Sequence, residues 1–274
     1  MPGVGVTAPG TVMMVIGTST GIMLVDRERY AVEGITACLR DTMYPGFWGY
    51  ASGQSSVGDG FQWFADQCVP GAYVEAANAK GMSIQQYLTE LAEPLMPGQT
   101  GLLALDWLNG NRSRLANSRL SGMILGLTLQ TKPEHIYRAL LEATAFGARQ
   151  ILDAYQSAGV QIGDVVVCGG IAGKNPLMMQ IYADVLGKPL RVSTSKQAPA
   201  LGAAIYGAAA AGCFDLPEAI RVMHCRTYQT YVPNPDSQKL YASLYRAYSR
   251  LHDYFGRGEN NIMEQLQMLK HDCV

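Results

Sequence analysis

Three glycines, a lysine and an asparagine stand between Gly169 and Asn175, directly after an unbroken apolar run, VVVC at 165–168. Glycine has no Cβ, so the backbone can turn sharply there and a ligand can lie against it. The phosphate-cradling motifs do not fit. A P-loop needs GxxxxGK followed by Ser or Thr; here Gly169 to Lys174 is one residue short, and Asn175 replaces the hydroxyl that holds magnesium. The dinucleotide signature GxGxxG is missing too, since the loop reads GGIAG. Contact with the flat, neutral part of a nucleotide is the chemistry left to this loop. A second cluster, Gly17-Thr18-Ser19-Thr20-Gly21, offers hydroxyls and bare backbone N–H groups, which wrap phosphate oxygens without adding charge. Each cluster alone also reads as a ligand-free turn. Together they read as two halves of one nucleotide site.

Other residues carry weaker signals. Arg112, Arg114 and Arg119 lie in an Asn/Ser-rich loop and can bind an anion, although solvated loop charges are the commoner outcome. Gly122 and Gly126 interrupt the apolar run SGMILGLTL, where either another backbone or a ligand approaches closely. Trp48 and Tyr50 can stack on a ligand or pack in the core. Glu142 and Arg149 read as surface or structural residues rather than catalytic ones. Six cysteines, Cys38, Cys68, Cys168, Cys213, Cys225 and Cys273, form no CxxC pair, which fits neither a zinc site nor a disulfide framework. Reduced thiols in a cytoplasmic protein are the resulting expectation, with Cys168 in the core.

These residues need elements to position them. Val165 to Cys168 suit a strand buried on both faces. Asn175 reads as a helix N-cap with Pro176 at the first helical position. Met178, Ile181, Tyr182 and Val185 keep helical spacing up to Gly187, a C-terminal stop. Strand, loop and helix therefore put the site at the end of a central strand. Two apolar runs around 17–21 make residues 12–25 a hairpin. The longest helix is expected from Thr131 to Tyr155, with Thr131 and Glu134 as a capping box. Its buried face would carry Ile136, Leu140, Ala143, Gly147, Ile151 and Ala154. Shorter helices are expected at 61–68, 83–92, 199–212 and 238–255, and strands at 101–108, interrupted by Asp106, and at LRVST. Residues 1–11 read as a flexible opening with further chain ahead of it, YVPNPD (231–236) as an extended linker, and 256–274 as frayed. Strands and helices alternate, as in an α/β domain.

With 274 residues, 48 % of them hydrophobic, the chain can bury a substantial core. Its net charge of -1 provides no basic field for nucleic acid. No apolar run reaches the roughly 18 residues of a membrane span, and no secretory signal is visible.

Four segments in order, GTST in an apolar hairpin, SGMILGLT, VVVCGGIAGKNPLMMQIYADVLGKPLRV and ALGAAIYGAAAAG, resemble the second half of FGGY-type carbohydrate kinases. ALDWLNGNRS and GTVMMVIGTST are similar to the branch that phosphorylates L-ribulose. The resemblance spans residues 3–255. It implies an α/β, actin/hexokinase-like ATPase domain with an RNase H-like fold, the second lobe of a two-lobe kinase. Residues 1–215 would be the nucleotide-binding domain, and 216–274 a linker and C-terminal helical extension packed on it. It also implies ATP and Mg2+, and in-line transfer of the γ-phosphoryl group to a primary hydroxyl. Position by position, Gly17 and Thr18 would meet the terminal phosphates, and Gly122 would border the nucleotide. Gly170, Lys174 and Asn175 would line the adenosine pocket; the family often has Asn where Lys174 stands.

The same resemblance puts a general-base aspartate and most sugar contacts in the first lobe, upstream of residue 1. Asp26, Asp106 and Asp164 sit at strand edges and have no claim to that role. The 274 residues are thus expected to hold half a nucleotide site, no catalytic residue, no metal ligand and no sugar turnover. The expected partner is a small sugar reached through the first lobe, with no nucleic acid and no membrane; a homodimer stays open. Two other readings remain: an FGGY kinase for xylulose, glycerol or another polyol, and a non-catalytic actin-like nucleotide-binding module. A Rossmann-type oxidoreductase is disfavoured by the missing GxGxxG.

Overall fold

A computed structural model describes residues 1–258 and 260–272. The chain opens with a 3-10 turn, Pro2–Val4, then β1 (Gly10–Ile16) and β2 (Thr20–Asp26), the expected hairpin. β3 (Ala37–Arg40), β4 (Trp48–Gln54), α1 (Gly58–Gln67), α2 (Gly71–Ala79) and α3 (Ile84–Ala92) follow. β5 (Leu103–Leu105) and β6 (Met123–Leu125) pair as a small separate ribbon. Next come α4 (Pro133–Ser157), β7 (Ile162–Cys168), α5 (Pro176–Leu186), β8 (Leu190–Ser193) and α6 (Ala198–Ala210). α7 (Leu216–Met223), β9 (Tyr228–Tyr231), α8 (Pro235–Gly256) and α9 (Ile262–Asp272) complete the chain.

Among the described residues, seven strands form one mixed sheet in the order β3-β4-β2-β1-β7-β8-β9. β1 and β7, parallel to each other, are its centre. Their paired stretches Val12–Ile16 and Val165–Cys168 are apolar because both faces are covered there. Val12, Met14, Ile16, Val165 and Val167 join the large core under α4, α5 and α8. The alternating residues Met13, Val166 and Cys168 face a second core closed by Val4, Val6 and Ala198. This period of two fixes the register, since a one-residue slip would exchange the two faces.

α5 starts and stops as its sequence dictates: Asn175 Oδ1 accepts from Met178 N (2.9 Å), and Gly187 is left-handed at φ 64°. α4 begins one residue later than expected. Its N-cap is Lys132, and Thr131 Oγ1 instead accepts from Thr128 N in the preceding turn, so no Thr131–Glu134 capping box forms. Glu142 is a structural residue: it accepts from Arg138 Nε and Tyr241 OH, each at 3.0 Å, inside the protein. Tyr50 is core, and Trp48 lies beneath the Arg29 guanidinium.

Three segments expected to be loose are built in. Pro2, Gly3, Val4 and Val6 are buried, and Cys225 N donates to Gly3 O. Tyr231 ends β9, the seventh strand, so residues 216–274 contribute to the sheet of the main body as well as packing on it. The frayed tail contains α9, anchored by the buried Met263. Cys273, like Glu259 and Val274 of the same tail, lies outside the described residues. The five described cysteines are free thiols. No helix among the described residues is long and apolar enough to cross a membrane.

Candidate functional site

Val15 of β1 faces Cys168 of β7 in parallel register, so the hairpin turn and the glycine loop leave the sheet at the same end, beyond the carboxyl ends of both strands. Gly169 makes their contact. Its φ is +112°, and a Cβ there would stand 2.2 Å from Ile16 O, so only glycine lets the loop cross the end of β1.

α1 completes the junction. The first N–H groups of a helix lack partners within it. Here the turn supplies them: Gly58 N donates to Gly17 O (3.0 Å), and Val57 N and Asp59 N donate to Thr18 O (2.8 and 3.3 Å). With the Gly17 and Thr18 carbonyls committed to α1 and Ser19 O to Gly17 N (2.9 Å), the turn keeps Thr18 N–H and Ser19 N–H without an acceptor among the described residues. The Thr18 side chain is exposed. A Cβ on Gly58 would lie 2.7 Å from Gly17 O and 2.5 Å from Ile171 Cδ1. Hairpin, helix and glycine loop therefore meet at Gly58.

Beside this point opens a cleft of about 670 Å³, within the size range of small-molecule sites. Gly58 and Phe61 of α1 form one side, and Ile171, Lys174 and Asn175 of the loop another. Gln85, Gln86 and Thr89 of α3 face them, and Tyr137 of α4 lies between. Lys174 is exposed; its backbone N donates to Ile171 O (2.9 Å), but its side chain makes no hydrogen bond or ion pair among the described residues, so its ammonium remains available to a ligand. Asn175 is buried, and its Nδ2 donates to Tyr137 OH (3.2 Å). Burial pushes the Tyr137 phenol up from its ordinary value, outweighing the hydrogen bond from Asn175 Nδ2 that pulls it down, so it stays a neutral hydroxyl.

Of the site residues expected from sequence, Lys174 and Asn175 line the cleft, and Gly17 and Thr18 adjoin it through Gly58. Gly170 is exposed in the same loop, with nothing within 4 Å of where its Cβ would be. Gly122 stands apart: it packs on Leu108, which in turn reaches Gly60, and it does not line the cleft. The arginine loop is used within the protein, Arg114 pairing with Glu33 and Arg119 with Glu264. Sequence reading missed Gly58, Gln85, Thr89 and Tyr137. Only Gly58 had a visible signal, as part of the Gly58-Asp59-Gly60 run opening a helix; the others reach the cleft through packing of remote segments.

Residues 12–211 match the C-terminal domain of the FGGY family of carbohydrate kinases. The chain belongs to that family. Among curated relatives, the ribulokinase of Anoxybacillus flavithermus is 48 % identical over 275 residues, covering 98 % of this chain and 49 % of its own length. The ribulokinase of Halalkalibacterium halodurans is 49 % identical with the same coverage. This FGGY domain thus spans about half the length of the curated relatives it matches. Among solved structures, xylulose kinase from Rhodospirillum rubrum superposes with a TM-score of 0.76 at 27 % identity, covering 92 % of this chain and 48 % of that one. The FGGY assignment agrees with a mixed α/β, actin/hexokinase-like ATPase fold.

Proposed function

We propose that this chain is the ATP-binding half of a carbohydrate kinase that phosphorylates a primary hydroxyl of a ketopentose, with L-ribulose as the acceptor. The observation that carries the nucleotide reading is the junction at Gly58, where two turns expected to hold opposite ends of one ligand meet at one cleft. The acceptor rests on the ribulokinases to which the chain is similar.

The residues present fit a nucleotide. Thr18 N–H, Ser19 N–H and the Thr18 hydroxyl suit the terminal phosphates, which they would hold by charge-assisted hydrogen bonds. Gly170 leaves room for a flat ring against the loop, and Lys174 can neutralise charge at the cleft mouth. Mg2+ carried with ATP would neutralise the phosphates. Among the described residues no three His, Cys, Asp or Glu side chains cluster, so the donors here suit the nucleotide rather than an all-protein cage for the ion.

The general base is proposed to lie outside these residues, as the resemblance implies. Asp106, at the end of β5, is sealed from solvent: both oxygens accept hydrogen bonds, from Gln54 and Tyr248, and burial pushes its carboxyl up to about 6. Asp164 is exposed and faces Arg191. A cytoplasmic location is proposed as well, where free thiols persist.

Calorimetric titration of the 274-residue chain tests the first half of the reading: ATP binds, yet no sugar is phosphorylated. A chain that binds no ATP would sink the nucleotide site. A substrate panel on the complete gene product tests the second half. Turnover of L-ribulose above xylulose and glycerol is expected, and preference for either of those would reassign the acceptor.

A further inference from the structure

α3 is a short cleft wall of nine residues, packed on the core through Ile84, Leu88 and Ala92. Only Leu88, at its middle, and Ala92, at its end, are buried, and Arg138 Nη1 donates to Ala92 O (3.0 Å). Its first half carries Gln85 and Gln86 into the cleft. Thr89 follows Leu88 on the same helix. Its hydroxyl donates to Gln85 O (2.8 Å), which uses its single proton. The 3.2 Å contact between Thr89 Oγ1 and Tyr137 OH must then run from tyrosine to threonine. Asn175 Nδ2 in turn donates to Tyr137 OH (3.2 Å) and, at a longer 3.4 Å, to Thr89 Oγ1 itself, while Asn175 Oδ1 holds the first turn of α5. A directed relay therefore crosses the cleft floor from the glycine loop, through α4, to α3.

We infer that Tyr137 is a positioning residue for the nucleotide: its hydroxyl fixes the separation of α3 from the glycine loop, and with it the fit of a flat ring between them. The inference rests on the nucleotide reading above. It requires the hydroxyl, not the ring, which packs edge-on against Phe61 at 5.9 Å and would be kept by phenylalanine. The buried phenol keeps its proton at neutral pH, so the donor role toward Thr89 persists there.

The experiment is titration of the 274-residue chain with a fluorescent ATP analogue, well below the unfolding midpoint, alongside thermal melts. Tyr137→Phe and Thr89→Val each raise Kd about three- to tenfold, the range for losing one hydrogen bond in a relay. The double variant loses no more than Thr89→Val alone, because valine already ends both contacts that reach α3, from Tyr137 OH and from Asn175 Nδ2. Thr89→Ser, which keeps the hydroxyl, binds as the parent chain does. A merely structural role would lower the melting midpoint and leave Kd unchanged. Parent-like Kd in both Tyr137→Phe and Thr89→Val overturns the inference while the nucleotide reading stands. No binding by the parent chain removes the nucleotide reading itself, and this inference with it.

Discussion

Gly170 is a glycine that its own protein does not require. Its φ lies outside the left-handed region, and the space around its missing Cβ is open. A side chain there leaves the fold undisturbed, since exposed substitutions of this kind usually change stability by no more than about 0.5 kcal/mol. Gly170→Asp should nevertheless weaken ATP binding about tenfold, by crowding the nucleotide and by placing a negative charge near it. Gly170→Asn keeps the crowding and removes the charge, so it should lose less. Calorimetric Kd values for the two variants check this; parent-like affinity in both would take Gly170 out of the site. Asn175 behaves differently. Its amide is already bonded to Met178 N and Tyr137 OH, so its part in the cleft is to hold the walls rather than to offer a free donor.

At the scale of elements, the hairpin and the glycine loop are not held to each other alone; α1 is wedged between them. Gly58→Val makes that testable. The valine would press on Gly17 O, which is backbone, and on the end of Ile171, which is a flexible side chain. Ile171 can yield and the carbonyl cannot, so the hairpin turn must move. Destabilisation of about 1–3 kcal/mol is expected from such overpacking, together with a loss of ATP affinity. Urea unfolding and calorimetry read the two effects, and a variant with both values unchanged would mean that α1 does not set the hairpin. This junction also marks the limit of what the sequence displays. The hairpin and the strand–loop–helix unit were legible because each is coded within a few consecutive residues: turn glycines, a cap at Asn175, a stop at Gly187. The opposite wall was not. Thr89, Tyr137 and Asn175 meet only because α3 and α4 pack beside α5, and nothing in the spacing of 89, 137 and 175 announces it. β4 escaped notice for another reason: it reads WGYASGQ, and Gly49 and Gly53 replace the β-branched residues that usually signal a strand. Gly122 was legible as an odd glycine, but the neighbour it accommodates is Leu108.

At the scale of the whole molecule, the C-terminal helices are part of the main core. Tyr241, Tyr245 and Tyr248 of α8 pack around Phe146 of α4. One buried carboxylate ties that assembly together: Asp106 accepts from Tyr248 OH of α8 (3.1 Å) and from Gln54 Nε2 of β4 (2.8 Å). Gln54 Nε2 also donates to Thr144 O of α4. Burial raises the Asp106 carboxyl from 3.8 to about 6, outweighing the hydrogen bonds that favour its charged form. The folded chain therefore holds this proton more tightly than the unfolded chain does. The stability it contributes is complete below pH 3.8 and is lost as pH rises through about 6, by roughly 3 kcal/mol in all. Asp106→Asn removes the titration. Asparagine Oδ1 can still accept from Gln54 Nε2, and its Nδ2 then faces Tyr248 OH, which must turn from donor to acceptor, so any offset in the variant is constant with pH. The informative quantity is the slope: the stability of the parent relative to the variant should fall between pH 4 and 6 and stay level above about pH 7. Other buried groups that titrate nearby are common to both chains and cancel in that difference. Urea midpoints measured across this range settle the matter. Parallel curves would show that Asp106 is as acidic folded as unfolded, and that the contact joining α8 to the sheet carries no pH dependence of its own.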